Sequence, residues 1–563
     1  MKILPVSFPT FPIGFSEEKL KHLKDILAQF YRDVDLIVLP ELFTIGYPPE
    51  DLLYSSEIHQ LQDSFIKQIA ELSTRFRTMI LFGGFETKNG ELYNSAYLTI
   101  PDKEPIVIAR KTHLPNYNIF NEKRYFTPSD HLSTLIVKDG TETYKLGIAI
   151  CEDIWVPSVA ETFAADGCHA IISINASPYI KGKVEFTIGM LQHKARLYNI
   201  PIVYANWYGG QDEIIYYTPS FVADENGTIL TYLTIDHKTK QELEAKRIRE
   251  KRIAELRKSY PVYSTTITWE SKRSELQDSY PKIIQEPKLS DVLVLGIRSY
   301  LEHQRLHTAI LGLSGGIDSA VVLGLLVKLI KQHDSPLKKV IAYFLPSIFT
   351  SEESYTAVSL LKEYVEKEGV DDKVTIHVYK LENLVNVDDI NEMVKRFPDF
   401  VKDSKLAKQN LQARLRGLFL STISNAIPGS LVIACGNKSE YAMGYATLYG
   451  DMVGGLAPLK DVYKTEVFKL AEELNVPEFI LTRKPSAELD YDQVDEADLG
   501  VSYSILDEKL KEIIEDVHLN PNDSTVWKVL SQEFKRRQGP LGFKISEFSF
   551  EEDRRFPIAT KLI

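Results

Sequence analysis

Three apolar runs in the first half of the chain each end on a residue that can do chemistry: "DLIVLPE" on Glu41, "IVIARK" on Lys111 and "KLGIAICEDIW" on Cys151. A carboxylate can accept a thiol proton and a thiolate can attack a carbonyl carbon. A lysine can stabilise both the thiolate and the oxyanion that develops. Together the three types form an amide-cleaving set. Singly, a Glu or Lys at a strand end is an ordinary structural residue and a lone Cys is ordinary packing, so the threefold coincidence carries the reading. Cys151 follows the last strand-like residue of its run, which predicts a thiol presented at a sheet edge where substrate can reach it. Cys168, in "DGCHAI", precedes a strand without a partner nearby and reads as packing.

The second half offers a different chemistry. "TAILGLSGGIDSAVV" is strand, Gly-rich turn, helix, in which Ser314, Gly315 and Gly316 let backbone N–H groups close on an anion at a helix N-terminus. A Walker A loop would bring a lysine to the phosphates, whereas here Asp318 occupies the first helical turn. A carboxylate beside phosphates requires a cation between them, which implies Mg2+. Farther on, "LVIACGNKSEYAMGYATLYGDMVGGLAPLKDVYKTEV" supplies Glu440, a second metal carboxylate, with Asp451 in a Gly-rich segment and Lys464 as charge for a phosphate.

Elements must bring these residues together. Residues 1 to about 235 alternate β-rich runs ("DLIVLP", "MILFGGF", "PIVIARK", "AIISINAS", "PIVYANW") with helical patterns, a layered α/β architecture. Asp236 to Lys258 is nearly all charged, with Glu242 and Lys246 at helical spacing, and reads as a solvated linker helix. From residue 287 helices and strands alternate again ("TAILGL", "VIAYFLP", "KVTIHVY"), predicting a doubly wound parallel sheet whose ligand site lies at the strands' C-terminal ends. The expected organisation is a first domain over 1–270, a charged linker region over 236–286 and a second domain over 287–563.

At 563 residues the chain exceeds one hydrophobic core. A formal charge of −12 and a pI near 5.6 argue against a nucleic-acid partner. Three cysteines without metal-like spacing point to neither disulfides nor zinc, and so to a cytoplasmic protein. An N-terminus without a long apolar core, and the absence of any apolar run of ~18 residues, predict that it is neither secreted nor membrane-spanning.

The first ~270 positions resemble the nitrilase, or carbon–nitrogen hydrolase, superfamily, matching "LPELFTIGYPPEDL", "RKTHLPNYNIFNEKRYF" and "AICEDIW". The resemblance implies an αββα layered domain with Glu41 as general base, Lys111 as oxyanion stabiliser, Cys151 as acylated nucleophile and Glu122 as the second glutamate. "GYPPEDLL", "HLPNY" and "GGQDE" further resemble the glutaminase domains of glutamine-dependent NAD synthetases, which implies a substrate amino-acid end held by Tyr117, Ser177 and Lys183. One departure is the opening turn, here "SFPTFPIGF" where the family has Asn-Pro-Thr-Val-Gly-Asp.

The loop Gly312, Leu313, Ser314, Gly315, Gly316, Ile317, Asp318 and Ser319 resembles that of the ATP pyrophosphatases (adenine nucleotide alpha hydrolase-like fold), implying AMP and pyrophosphate as products. By similarity to NAD synthetases, Cys435, Lys464 and Ser486 contact ATP, and Asn410, Arg414, Glu440, Asp451 and Lys535 contact deamido-NAD. Asp318 and Glu440 serve the metal. The family more often has threonine at Cys435, and a thiol is the weaker donor. The resemblance as a whole implies a ligase forming NAD from ATP, deamido-NAD and L-glutamine, with ammonia passing under cover between sites in a homo-oligomer. Other amide-forming synthetases share the loop, but "GNKSE" and "KRRQ" favour deamido-NAD. A non-catalytic scaffold would need a lost triad or loop residue, and none is lost.

Overall fold

The computed structural model describes residues 1–235, 260–270, 283–385, 390–402, 404–490, 493–517, 519–520, 522–532, 535, 557 and 559–560. The chain forms two compact units, Met1–Pro287 with Lys544–Ile563, and Lys288–Phe543. The expected linker helix at Asp236–Lys258, with Glu242 and Lys246, lies outside the described residues. Within the expected linker region, Val262–Thr268 is a strand paired in parallel with Leu132–Asp139. The segment Lys544–Ile563, assigned by sequence to the second domain, groups with the first unit. Its described residues meet that unit's opening turn, where Ile13 N–H donates to the Ala559 carbonyl at 3.0 Å.

Two large sheets form the centre of the first unit, beside a small three-stranded one. One runs, in spatial order, Leu233–Thr234, Lys2–Pro5, Leu36–Val38, Met79–Lys88, Glu91–Thr99, Ile106–Arg110. The other runs Ile229–Leu230, Phe221–Ala223, Ile202–Ala205, Ala170–Ile174, Glu142–Ile150, Leu132–Asp139, Val262–Thr268. Period-two alternation sorts their side chains. Leu36, Val38, Leu81, Leu146, Ile148, Ile150, Ile172 and Ile174 share one core between the sheets. Their neighbours Ile37, Ile80 and Phe82 pack on the outer face of one sheet, and Ala149 and Ile171 on that of the other. Helices cover those outer faces. Ser56–Phe76, for example, buries Ile58, Phe65, Ile66 and Ile69, one stripe at helical spacing. The result is the expected αββα layering. Strands apolar on both faces are therefore continuous hydrophobic runs, as in "AIISI".

The departing turn "SFPTFPIGF" is well packed. Phe8–Pro9 pairs in parallel with Trp207–Gln211, and Phe8 meets Phe43 edge-on at 4.8 Å. Lys19, wholly buried in the following helix, donates from Nζ to the carbonyls of Gly14 (2.9 Å), Phe43 (3.3 Å) and Thr44 (3.1 Å), tying the turn to the segment after Glu41. Burial pulls its pKa down to about 7.

In the second unit four strands are all parallel, in the order Val374–Val378, Lys339–Phe344, Thr308–Leu313, Ser430–Ile433. In sequence order this is 3-2-1-4, so the direction of winding reverses between Thr308–Leu313 and Ser430–Ile433. The helix Ile317–Ile330 is buried almost all round, on the sheet face carrying Ala309 and Leu311. Ile310, Ile341 and Val432 face Leu420 and Ile423 of the helix Lys405–Ala426 on the other side. The sheet is doubly wound, as the alternating pattern predicts.

Candidate active sites

In the first unit the ends of three strands bring the triad residues to one place. Glu41 follows Leu36–Val38, and its N–H donates to the Asn175 carbonyl at 3.3 Å, just past Ala170–Ile174. Cys151 follows Glu142–Ile150 and donates from its N–H to the Ile174 carbonyl at 2.8 Å. Lys111 directly follows Ile106–Arg110. Its Nζ donates to Glu41 Oε1 at 2.6 Å and to Glu122 Oε1 at 2.7 Å, an ion cluster sealed from solvent.

Cys151 turns from strand to helix with φ +47° and ψ −96°, a backbone that a side-chain-bearing residue rarely adopts. Such strain at a strand-to-helix turn projects a nucleophile from the end of a sheet. The expectation of a thiol open at the sheet edge is corrected in one respect: Cys151 is only 4% exposed. The electrostatics follow from that burial. Desolvation and Glu41 raise the thiol well above its ordinary value against the pull of Lys111, so it rests protonated. For Lys111, burial alone would lower the pKa, but Glu122 and Glu41 outweigh it and hold the ammonium charged. One lysine cannot balance two buried carboxylates. Burial lifts Glu122 to about 7 despite Lys111.

Several residues of this site went unread in the sequence. Asn94 donates from Nδ2 to Glu41 Oε1 at 2.7 Å, Ala176 N–H to Glu41 Oε2 at 3.0 Å, and Tyr47 from its hydroxyl to Glu122 Oε1 at 3.0 Å. A polar residue inside the β run "LYNSAYL" was the available signal for Asn94. Of the three expected glutamine-binding residues, Ser177 is buried and exchanges hydrogen bonds with the side chain of Asn206, at 2.9 and 3.1 Å. Tyr117 is 51% exposed and donates to Glu152 Oε2 at 2.9 Å, beside Cys151. Lys183 opens the helix Lys183–Tyr198 with its ammonium 5.6 Å from the Trp155 ring centre. Its pKa is lowered by burial, and Cys151 and Glu152 oppose the shift.

In the second unit the Gly-rich loop spans the sheet's reversal point. Gly312 and Leu313 end the strand, and Gly316 caps the helix that begins with Ile317, Asp318 and Ser319. Gly315 has φ +80°, and a Cβ there would meet the Ser354 carbonyl oxygen at 3.0 Å. Ser319 Oγ donates to the Gly316 carbonyl at 3.1 Å and accepts from Ser314 N–H at 3.2 Å, closing the loop on itself. Cys435 Sγ lies 3.9 Å from the Gly312 carbonyl across the reversal, and burial raises its thiol.

Asp318 and Glu440 converge on one cation. Lys464 Nζ lies 2.5 Å from Asp318 Oδ2 and 3.2 Å from Glu440 Oε1, while Asn437 donates to Asp318 Oδ1 at 2.8 Å. Burial, then Asp318, lifts Glu440 to about 8 against Lys464. Burial lowers Lys464, but the two carboxylates win and its pKa is raised. Among the described residues no three His, Cys, Asp or Glu side chains form a metal cage. Two carboxylates beside a Gly-rich loop nevertheless suit Mg2+, which takes one or two carboxylates plus phosphate oxygens and water.

The other expected ligand contacts sort into two groups. Asn410 Oδ1 accepts from Thr447 Oγ1 at 2.8 Å, and Asp451 Oδ1 accepts from Thr447 N–H at 2.8 Å. Arg414 Nε donates to the Leu448 carbonyl at 3.2 Å, and Lys535 Nζ to those of Gly444 (2.7 Å) and Ala446 (3.1 Å). These four therefore gather on the segment 444–451, one turn past Glu440. Ser486 stands apart, its hydroxyl donating to the Gln493 carbonyl at 2.5 Å within its own loop. Arg483, three residues earlier, was missed. It pairs with Glu488 and donates to the Gly315 carbonyl at 3.3 Å, which brings a guanidinium to the Gly-rich loop.

Residues 289–539 match the model of the NAD synthase family, and residues 16–252 that of the carbon-nitrogen hydrolases. Among curated proteins the chain is similar to the glutamine-dependent NAD(+) synthetase of Thermotoga maritima, 34% identical over 94% of this chain and 93% of that protein. It is also 33% identical to that of Aquifex aeolicus over 98% of both. A solved glutamine-dependent NAD+ synthetase of Acinetobacter baumannii, in complex with ADP, aligns with a TM-score of 0.73 and 30% identity, covering 99% of this chain and 98% of that one.

Proposed function

The chain belongs to the glutamine-dependent NAD(+) synthetases, and on that premise we propose how its residues divide the work. The first unit frees ammonia from L-glutamine. The second activates the carboxylate of deamido-NAD with ATP, and ammonia converts it to the amide, leaving NAD, glutamate, AMP and pyrophosphate. One observation supports the division above all: a single chain carries both the buried Glu41–Lys111–Glu122 cluster beside Cys151 and the Asp318–Lys464–Glu440 cluster beside a Gly-rich loop.

Because the Cys151 thiol rests protonated, attack on the glutamine amide needs a base, and Glu41 takes that proton. Lys111 stabilises the tetrahedral oxyanion, the protonated nitrogen leaves as ammonia, and the thioester that remains is opened by water positioned with Glu122. Tyr117, Ser177 and Lys183 hold the amino-acid end of the substrate. In the second unit the loop from Gly312 to Ser319 cradles the β/γ end of ATP, with Cys435, Lys464 and Ser486 completing the contacts. Asn410, Arg414, Asp451 and Lys535 hold deamido-NAD so that its carboxylate oxygen attacks the α-phosphorus. Asp318 and Glu440 would hold Mg2+, whose charge offsets that of the leaving pyrophosphate. Three free cysteines are in keeping with a cytoplasmic setting, and no described helix is long and apolar enough to cross a membrane.

The test is product analysis with ATP, Mg2+, deamido-NAD and either glutamine or ammonium. AMP and pyrophosphate should appear in step with NAD, and ADP in their place would overturn the adenylation.

A further inference from the structure

Two residues past Cys151 and two past Lys111, a second buried network joins the backbones that carry them. Asp153 is 2% exposed. Its Oδ1 accepts from the N–H groups of Thr112 (3.1 Å) and His113 (2.8 Å), immediately after Lys111. Its Oδ2 accepts from Ile150 N–H at 3.1 Å, immediately before Cys151. The His113 ring lies against the same carboxylate, Nδ1 at 2.9 Å from Oδ1, and its Nε2 lies 3.1 Å from the Tyr260 hydroxyl. Ser158 Oγ donates to that hydroxyl at 3.4 Å. Both ring nitrogens of His113 are thus engaged within this network.

Resting on the glutaminase reading above, we propose that Asp153 is a positioning residue of that reaction, its carboxylate locking the Lys111 strand end to the Cys151 turn, with His113 and Tyr260 bracing it. Ladder bonds cannot do this, because Ile106–Arg110 and Glu142–Ile150 belong to different sheets. The strained backbone at Cys151 persists only where its surroundings over-determine it, and a charged acceptor taking three backbone N–H groups supplies such a constraint. The clamp also rests on the segment after residue 259. Tyr260 leads into Val262–Thr268, the last strand of the seven-stranded sheet.

The experiment compares Asp153→Asn and Tyr260→Phe with the unaltered full-length chain. Measured are kcat and KM for glutamine, ammonia-driven NAD synthesis, thermal melting, and iodoacetamide alkylation of Cys151 followed by peptide mass spectrometry. Asp153→Asn puts an amide N–H where a carboxylate oxygen accepted. A displacement of about 1 Å between lysine and nucleophile should lower glutamine-dependent kcat about 100-fold. KM for glutamine should stay within about twofold, alkylation should slow in parallel with kcat, and ammonia-driven synthesis should persist. Tyr260→Phe, which loses one hydroxyl, should show the same split at about 2- to 5-fold, and reports on the clamp even if Asp153→Asn fails to fold. Unchanged kcat and alkylation in either folded variant, or a rise in KM alone, would overturn the proposal. Failure of the underlying glutaminase reading would look different: Cys151→Ala would retain glutamine-driven synthesis.

Discussion

At the scale of single residues the two chemistries separate cleanly by substitution. Cys151→Ala should abolish glutamine-driven NAD synthesis and leave ammonia-driven synthesis near the unaltered rate, because the thiol only generates nitrogen. Asp318→Ala should remove both, because neither nitrogen source helps if the acid is never adenylated. NAD formation with each donor reads the contrast directly. Glu122 carries a pH signature. Its folded carboxyl keeps its proton from the ordinary 4.5 up to about 7, a range in which the unfolded chain has released it. The folded state therefore binds more protons there, and stability from this group falls as pH rises through that window. Glu122→Gln should lose less melting temperature than the unaltered protein between pH 5 and pH 7.5, as calorimetry would record. Glu41, Lys111 and Cys151 were legible because each ends an apolar run, and Glu122 by resemblance. Asn94, Tyr47, Asp153 and Arg483 were not, because what makes them matter is a partner 40 to 168 positions away, and spacing carries no trace of such pairings.

At the scale of elements, a strand position decides where Glu41 sits. Gly83 lies in Met79–Lys88, and a Cβ there would fall 2.1 Å from Leu42 N and 2.6 Å from the Glu41 Cα and carbonyl carbon. These are backbone atoms, which cannot swing aside. Gly83→Ala should displace Glu41 by about 1 Å and lower the glutamine-driven rate about 100-fold or more, with ammonia-driven synthesis retained. An equal loss with both donors would show instead that the first unit's disturbance reaches the synthetase chemistry. The strands and their layering were legible from alternation and apolar runs, and the 3-2-1-4 winding places the Gly-rich loop where a doubly wound sheet binds ligands. The glycines of "LFGGFE" read only as strand, since the requirement for a missing side chain comes from a loop packed against it. Val262–Thr268 hid in a charged region because a parallel edge strand with exposed Tyr263 shows weak alternation.

At the scale of the whole molecule, an enzyme with two chemistries wastes glutamine unless one waits for the other. Glutamate release should therefore rise when ATP and deamido-NAD are both added, by roughly 5- to 150-fold for a typical coupling of ~1–3 kcal/mol. Equal rates with and without those ligands would refute the coupling and leave both chemical assignments standing. The change of texture after residue 235 was legible, although the two compact units divide after Pro287. The return of the chain to its beginning was not: Ala559 accepts from Ile13 N–H and from Gln211 Nε2 at 3.2 Å and donates to Asp212 Oδ1 at 2.9 Å, partners hundreds of positions away. That return orders events on the ribosome. Chains are made from the amino end and their units tend to fold in that sequence, yet residues 557–560 are translated after the whole second unit. The glutamine-cleaving half of a nascent chain is thus finished last, only once the half that consumes its ammonia has already been made.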